Sequence, residues 1–214
     1  MKKKSGKVYF NELWGQMTAY LEEFMKSSDQ EKLHQFRLQV KKLRALLTLF
    51  DASPSKNKLA KDFKPIKKIY KHCGIIREGY INLQMGAHYG LENEEFITTQ
   101  VNEMEQGISE LKDNAKKYLK TIKAVHDELE DNLETIADES INEFYKTQLE
   151  QIAAALNKLQ FDDTLHNCRK QVKTLLYNRK IAAKALDGKC ELDPEEWRNN
   201  RASAGFYTPA ISRN

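Results

Sequence analysis

His34, Arg37, Lys41 and Arg44 follow one another at steps of three and four residues. That spacing puts them in one row along about 15 Å of an α-helix. An arginine can grip two phosphate oxygens at once, whereas a lysine offers a compact, mobile charge. A rigid row of both suits a chain of closely spaced anionic oxygens. Leu33, Phe36, Val40, Leu43, Leu47 and Phe50 form an apolar row one residue away. The helix can therefore bury one edge and present the other. Taken alone, the row equally fits an amphipathic helix with a solvated basic flank. Residues 32–50 contain no Asp or Glu, however, whereas an ordinary solvent face mixes both signs. Lys42 stands beside the row.

The same pattern returns 132 residues later. Leu33, His34, Arg37, Gln39, Val40, Lys41 and Leu43 match Leu165, His166, Arg169, Gln171, Val172, Lys173 and Leu175, seven matches in eleven positions. Lys180 and Lys184 continue the second row. A period this long excludes a solenoid and points to two similar halves facing each other across an approximate twofold axis. A third basic run, Lys61, Lys64, Lys67, Lys68 and Lys71, closes with Arg77. Its apolar companions Phe63, Ile66, Ile69, Cys73 and Ile76 also keep helical spacing.

Helical periodicity holds throughout, and no alternating strand pattern emerges. A first helix is expected over about 8–27, after a basic tail at 1–7. Ser28-Asp29-Gln30-Glu31 forms a capping box that starts a second helix, running to about Phe50. A third is expected over roughly 56–73, with Pro65 imposing a kink or a late start. Gly74 and Gly79 would interrupt a fourth, ending near Tyr89-Gly90. Long helices should fill 94–157, with turns that the pattern does not locate. Asp162-Asp163 caps a helix to about Leu186, and Asp193-Pro194 opens one short helix before an irregular tail over 203–214.

Charge is unevenly spread. Residues 1–80 carry a net +10, residues 81–150 a net −10 and residues 151–214 a net +4, so the molecule has a cationic and an anionic region. No apolar run is long enough for a membrane span, and nothing resembles a signal peptide. Three scattered cysteines, Cys73, Cys168 and Cys190, suit reduced thiols in the cytoplasm.

The two HxxRxxxK helices, together with Ile69-Tyr70-Lys71-His72-Cys73-Gly74-Ile75-Ile76-Arg77-Glu78, resemble the conserved-histidine α-helical domain, CHAD, over most of residues 8–186. The resemblance implies an all-α fold of two antiparallel helical bundles, related by approximate twofold pseudo-symmetry, with a basic channel between them. One domain would fill 1–214, its first half about 8–130 and its second about 131–202. It implies a non-enzymatic binder of inorganic polyphosphate, with neither cofactor nor metal. On matching positions the ligand groups are His34, Arg37, Lys41, Arg44, Lys67, Arg77, His166, Arg169 and Lys173. Lys42, Lys71 and Lys180 are added by spacing. Glu78 and Tyr80 stand where the family has aspartates, and Thr174 and Leu176 where it is usually basic.

Two other readings stand beside this one. The same cations could meet a nucleic-acid backbone, although the basic rows lack interleaved aromatics or base-reading amides. A structural adaptor, for example on a polyphosphate granule, would use the charged faces for docking. His34 and His166 could serve as structural hydrogen-bonding groups, phosphate donors, phosphorelay sites or metal ligands. His72, His88 and His126 have no repeating context. No phosphate-binding glycine loop or hydrolase motif occurs.

Overall fold

The computed structural model describes residues 3–53, 58–157 and 163–185, without the side chains of 3–5, 180, 184 and 185. Every regular element among them is helical: α1 (Lys3–Ser27), α2 (Gln30–Phe50), α3 (Leu59–Asp62), α4 (Lys64–His88), α5 (Glu94–Asp113), α6 (Ala115–Asn132), α7 (Asp138–Leu156) and α8 (Asp163–Ala185). None of these helices is long and apolar enough to cross a membrane.

The apolar seam read in α2 is the centre of the core. Leu33, Phe36, Val40, Leu43, Leu47 and Phe50 are all buried. They pack with Phe10, Leu13, Trp14, Met17, Leu21 and Phe24 of α1 and with Ile66, Ile69, Cys73 and Ile76 of α4. Consecutive helices pair as α1–α2, α4–α5 and α7–α8, while α2 also touches α4 and α8. Helix α6 closes over α1, α3 and α4, burying Ile122, Val125 and Leu129.

Side-chain caps fix three of the helix starts. Asp29 rather than Ser28 caps α2, its carboxylate accepting from the Glu31 amide at 2.9 Å. Ser28 instead occupies the left-handed turn, with φ of 57°. Asp51 caps α3 by accepting from the amides of Leu59 and Ala60 at 2.8 and 3.0 Å. Asn93 caps α5 through the Phe96 amide at 2.8 Å.

Two expectations change, at the start of α1 and at the glycines of α4, while Pro65 takes the late start expected of it. Helix α1 begins at Lys3, so part of the segment read as a basic tail is helical. Pro65 lies in the first turn of α4, where its missing N–H costs nothing, and α4 then runs unbroken through Gly74 and Gly79. The glycines mark close approaches instead of breaks. A Cβ on Gly74 would meet Nη1 of Arg37 at 2.9 Å, and one on Gly79 the Gln100 carbonyl oxygen at 3.3 Å. The short helix expected at Asp193-Pro194 and the irregular tail lie outside the described residues.

Candidate functional site

Helices α2 and α8, which carry the repeated motif, pack against each other directly. The buried Asn178 of α8 donates to the Ala45 carbonyl of α2 at 2.8 Å. Further toward the helix starts, Lys41 and Lys173 lie close enough to repel each other. One pair is offset by 133 residues and the other by 132. Two such pairs make α2 and α8 run side by side in the same direction, at nearly the offset of the sequence repeat itself.

This register brings Arg37, Lys41, Arg169 and Lys173 into one cationic group. Lys41 has its pKa lowered, first by desolvation and then by the charges of Arg37 and Arg169. Lys173 is lowered by desolvation and by Arg169 and Lys41. Lys41 is open to solvent along its side chain, yet surrounding atoms displace part of its ammonium's hydration. Among the described residues, no acidic side chain pairs with Arg37, Lys41, Arg169 or Lys173; the ion pairs found there involve Lys32, His72, Lys123 and His126.

Arg37 is held in place before any ligand arrives. Its Nη1 donates to the Tyr70 carbonyl at 2.8 Å and its Nη2 to the Tyr70 hydroxyl at 3.3 Å. The guanidinium lies 4.2 Å from the Tyr70 ring centroid, a cation–π contact. The narrow space over Gly74 is what admits it. Two of its five donors are committed, and the rest remain for an anion. Tyr177 of α8 completes the rim. Its pKa is raised by desolvation and by Tyr70, and lowered in part by Arg169, so both phenols and Arg169 are near one another.

The remaining candidates divide. His34 and His166 are exposed, and neither has a hydrogen-bond partner among the described residues. Arg44, Lys67 and Lys71 are exposed and Lys42 is half-buried; the charges acting on Lys41 come from Arg37 and Arg169 instead. Arg77 is a tie between helices. It donates to the Gln30 carbonyl at 3.3 Å and lies 4.9 Å from the Tyr80 ring centroid, so Tyr80 supports a cation where an aspartate was expected. The Lys180 side chain lies outside the described residues.

Two of the three non-repeating histidines, His72 and His126, are structural, and His88 is exposed. His72 bridges the Tyr118 hydroxyl and the Gly107 carbonyl, both at 3.0 Å. His126 stacks on Phe10 and meets Asn11 Oδ1 at 2.9 Å. Among the described residues, no cluster of His, Cys, Asp and Glu could hold a metal. Tyr70 and Tyr177 were not predicted from the sequence. Tyr177 continues the steps of four from Arg169 and Lys173, but its counterpart in the first copy is Ala45, so the repeat did not single it out.

The structure is similar to the crystal structure of the CHAD domain from the plant Ricinus communis, with a TM-score of 0.63 and 17% sequence identity over 87% of this chain and 65% of that one. At that identity the likeness shows the fold: the chain has a CHAD-like, all-α architecture. It spans 65% of the length of the solved domain. No protein-family model matches the chain, and no curated protein matches it by sequence.

Proposed function

We propose that this chain binds inorganic polyphosphate along the trough between α2 and α8, as a non-catalytic module with no metal or cofactor, and that it does so in the cytoplasm. The observation that carries the reading is the convergence of Arg37, Lys41, Arg169 and Lys173, with no acidic partner among the described residues. Four mutually repelling cations are an arrangement that a polyanion relieves. Their rigid supports mean little ordering on binding, since Arg37 is already fixed on Tyr70. Because α2 and α8 run the same way, their starts lie at one end of the trough. The partial positive charge of both helix dipoles adds there, near His34 and His166. In this reading Arg44, Lys42, Lys67 and Lys71 extend the cationic surface, and the two repeats are halves related by an approximate twofold axis.

A nucleic acid is the competing ligand. The aromatic ring best placed to stack a base, Tyr70, already has the Arg37 guanidinium over it, which favours a ligand without bases. A gel-shift titration with long-chain polyphosphate over a salt series tests the reading. Retardation that weakens with salt, and that equal phosphate as RNA or DNA fails to reverse, is the expected result. Displacement by either nucleic acid would overturn the specificity.

A further inference from the structure

Lys41 is exposed and follows Arg37 by one helical turn on α2. One turn further on, the Ala45 carbonyl accepts from Asn178 of α8 at 2.8 Å, so Lys41 lies beside the packed α2–α8 pair and senses the charge of Arg169. The guanidinium of Arg37 is anchored to Tyr70 and cannot swing away to relieve the crowding. We propose that Lys41 is an acylation site, modified by small acyl phosphates that the surrounding cations hold by their phosphate group. The inference rests on the phosphate-binding reading of the trough, and it adds a way of regulating it.

The chemistry balances without a further reagent. The neutral Lys41 amine attacks the carbonyl carbon of the acyl phosphate, and an N–C bond forms. The C–O bond to phosphate breaks, and its electron pair leaves on inorganic phosphate. The amine's proton passes to solvent and the lysine becomes an uncharged amide. Arg169 and Arg37 hold the phosphate oxygens and stabilise the leaving dianion. Desolvation and the same two arginines also lower the Lys41 pKa, which enlarges the reactive neutral fraction. Lys116 and Lys120, exposed on α6, provide internal references. Acetylation would delete one of the four converging charges, so it would weaken polyanion binding.

The test incubates the full chain with acetyl phosphate and follows each lysine by peptide mass spectrometry. Lys41 should acquire acetyl groups roughly tenfold faster than Lys116 and Lys120, the scale on which a focused field concentrates an anion. Acetic anhydride, an uncharged donor, should give a smaller lead. Arg169→Gln should bring the acetyl phosphate lead toward parity while circular dichroism shows unchanged helicity. Equal rates at the three lysines, an undiminished lead with the uncharged donor, or a lead indifferent to Arg169→Gln would each overturn the proposal. If the unmodified chain retards polyphosphate but Lys41 shows no lead, only the acylation site fails. If Lys41 leads in a chain that does not bind polyphosphate, the proposed ligand fails and the modification site stands.

Discussion

At Arg37 a single guanidinium donates to the Tyr70 carbonyl across the α2–α4 contact and also acts on the ammonium of Lys41. Arg169, its repeat equivalent, is exposed and has no such anchor among the described residues. The two should therefore respond differently to truncation. Arg37→Ala removes a charge-assisted hydrogen bond and should cost about 1–2 kcal/mol of stability as well as affinity. Arg169→Ala removes a charge that repels Lys41 and Lys173, so it should leave stability equal or slightly higher while lowering polyphosphate affinity, roughly five- to tenfold at low salt. Urea unfolding and filter binding on both variants separate these effects. Lys173 gives a prediction of opposite sign. Its pKa is lower in the folded chain than in the unfolded one, so the folded state binds that proton less readily. At neutral pH, below both values, the protonated form costs stability, and the cost vanishes only above the ordinary lysine value of 10.5. Lys173→Gln should therefore raise the melting temperature at pH 7 while weakening polyphosphate binding, and a lower melting temperature would contradict the account.

Helices α4 and α5 pack closely because glycine stands where they meet. A Cβ on Gly107 would lie 2.8 Å from Cγ1 of the buried Ile76, and the Gly107 carbonyl accepts from His72. Gly15, in the exposed middle of α1, has nothing within 4 Å of such a Cβ. Gly107→Ala should lose about 1–2 kcal/mol to overpacking, net of its gain in helix propensity. Gly15→Ala should gain about 0.5–1 kcal/mol. Thermal melts of the two variants should shift in opposite directions. This contrast also explains where reading the sequence succeeded. The apolar seam of α2 and the caps near Asp29 and Asp163 are local signals, carried by residues three or four apart, and they placed their helices closely. Gly74 and Gly79 misled because a glycine in a helix looks the same whether it ends the helix or lets another pack against it. The difference lies in Arg37 and Gln100, far off in the chain.

Across the molecule, the excess of acid in residues 81–150 could have neutralised the basic rows, and the sequence could not decide whether it did. Among the described residues, the acids in ion pairs meet Lys32, His72, Lys123 and His126 rather than Arg37, Lys41, Arg169 or Lys173. The repeat made Arg37, Lys41, Arg169 and Lys173 legible as equivalent residues. That they face one another, in register across parallel helices, required the Asn178–Ala45 contact. Polyphosphate binding at such a site releases counterions in proportion to the charges engaged, so affinity should fall linearly with the logarithm of salt concentration. If the trough acts as one site, Lys41→Ala and Lys173→Ala, though 132 residues apart, should each flatten that slope by about 1, and the double variant by about 2. Variants of Lys116 or Lys120, exposed on α6, should flatten it less. Slopes from fluorescence titrations at several salt concentrations measure this directly. Equal slopes in wild type and the double variant would mean that polyphosphate binds elsewhere.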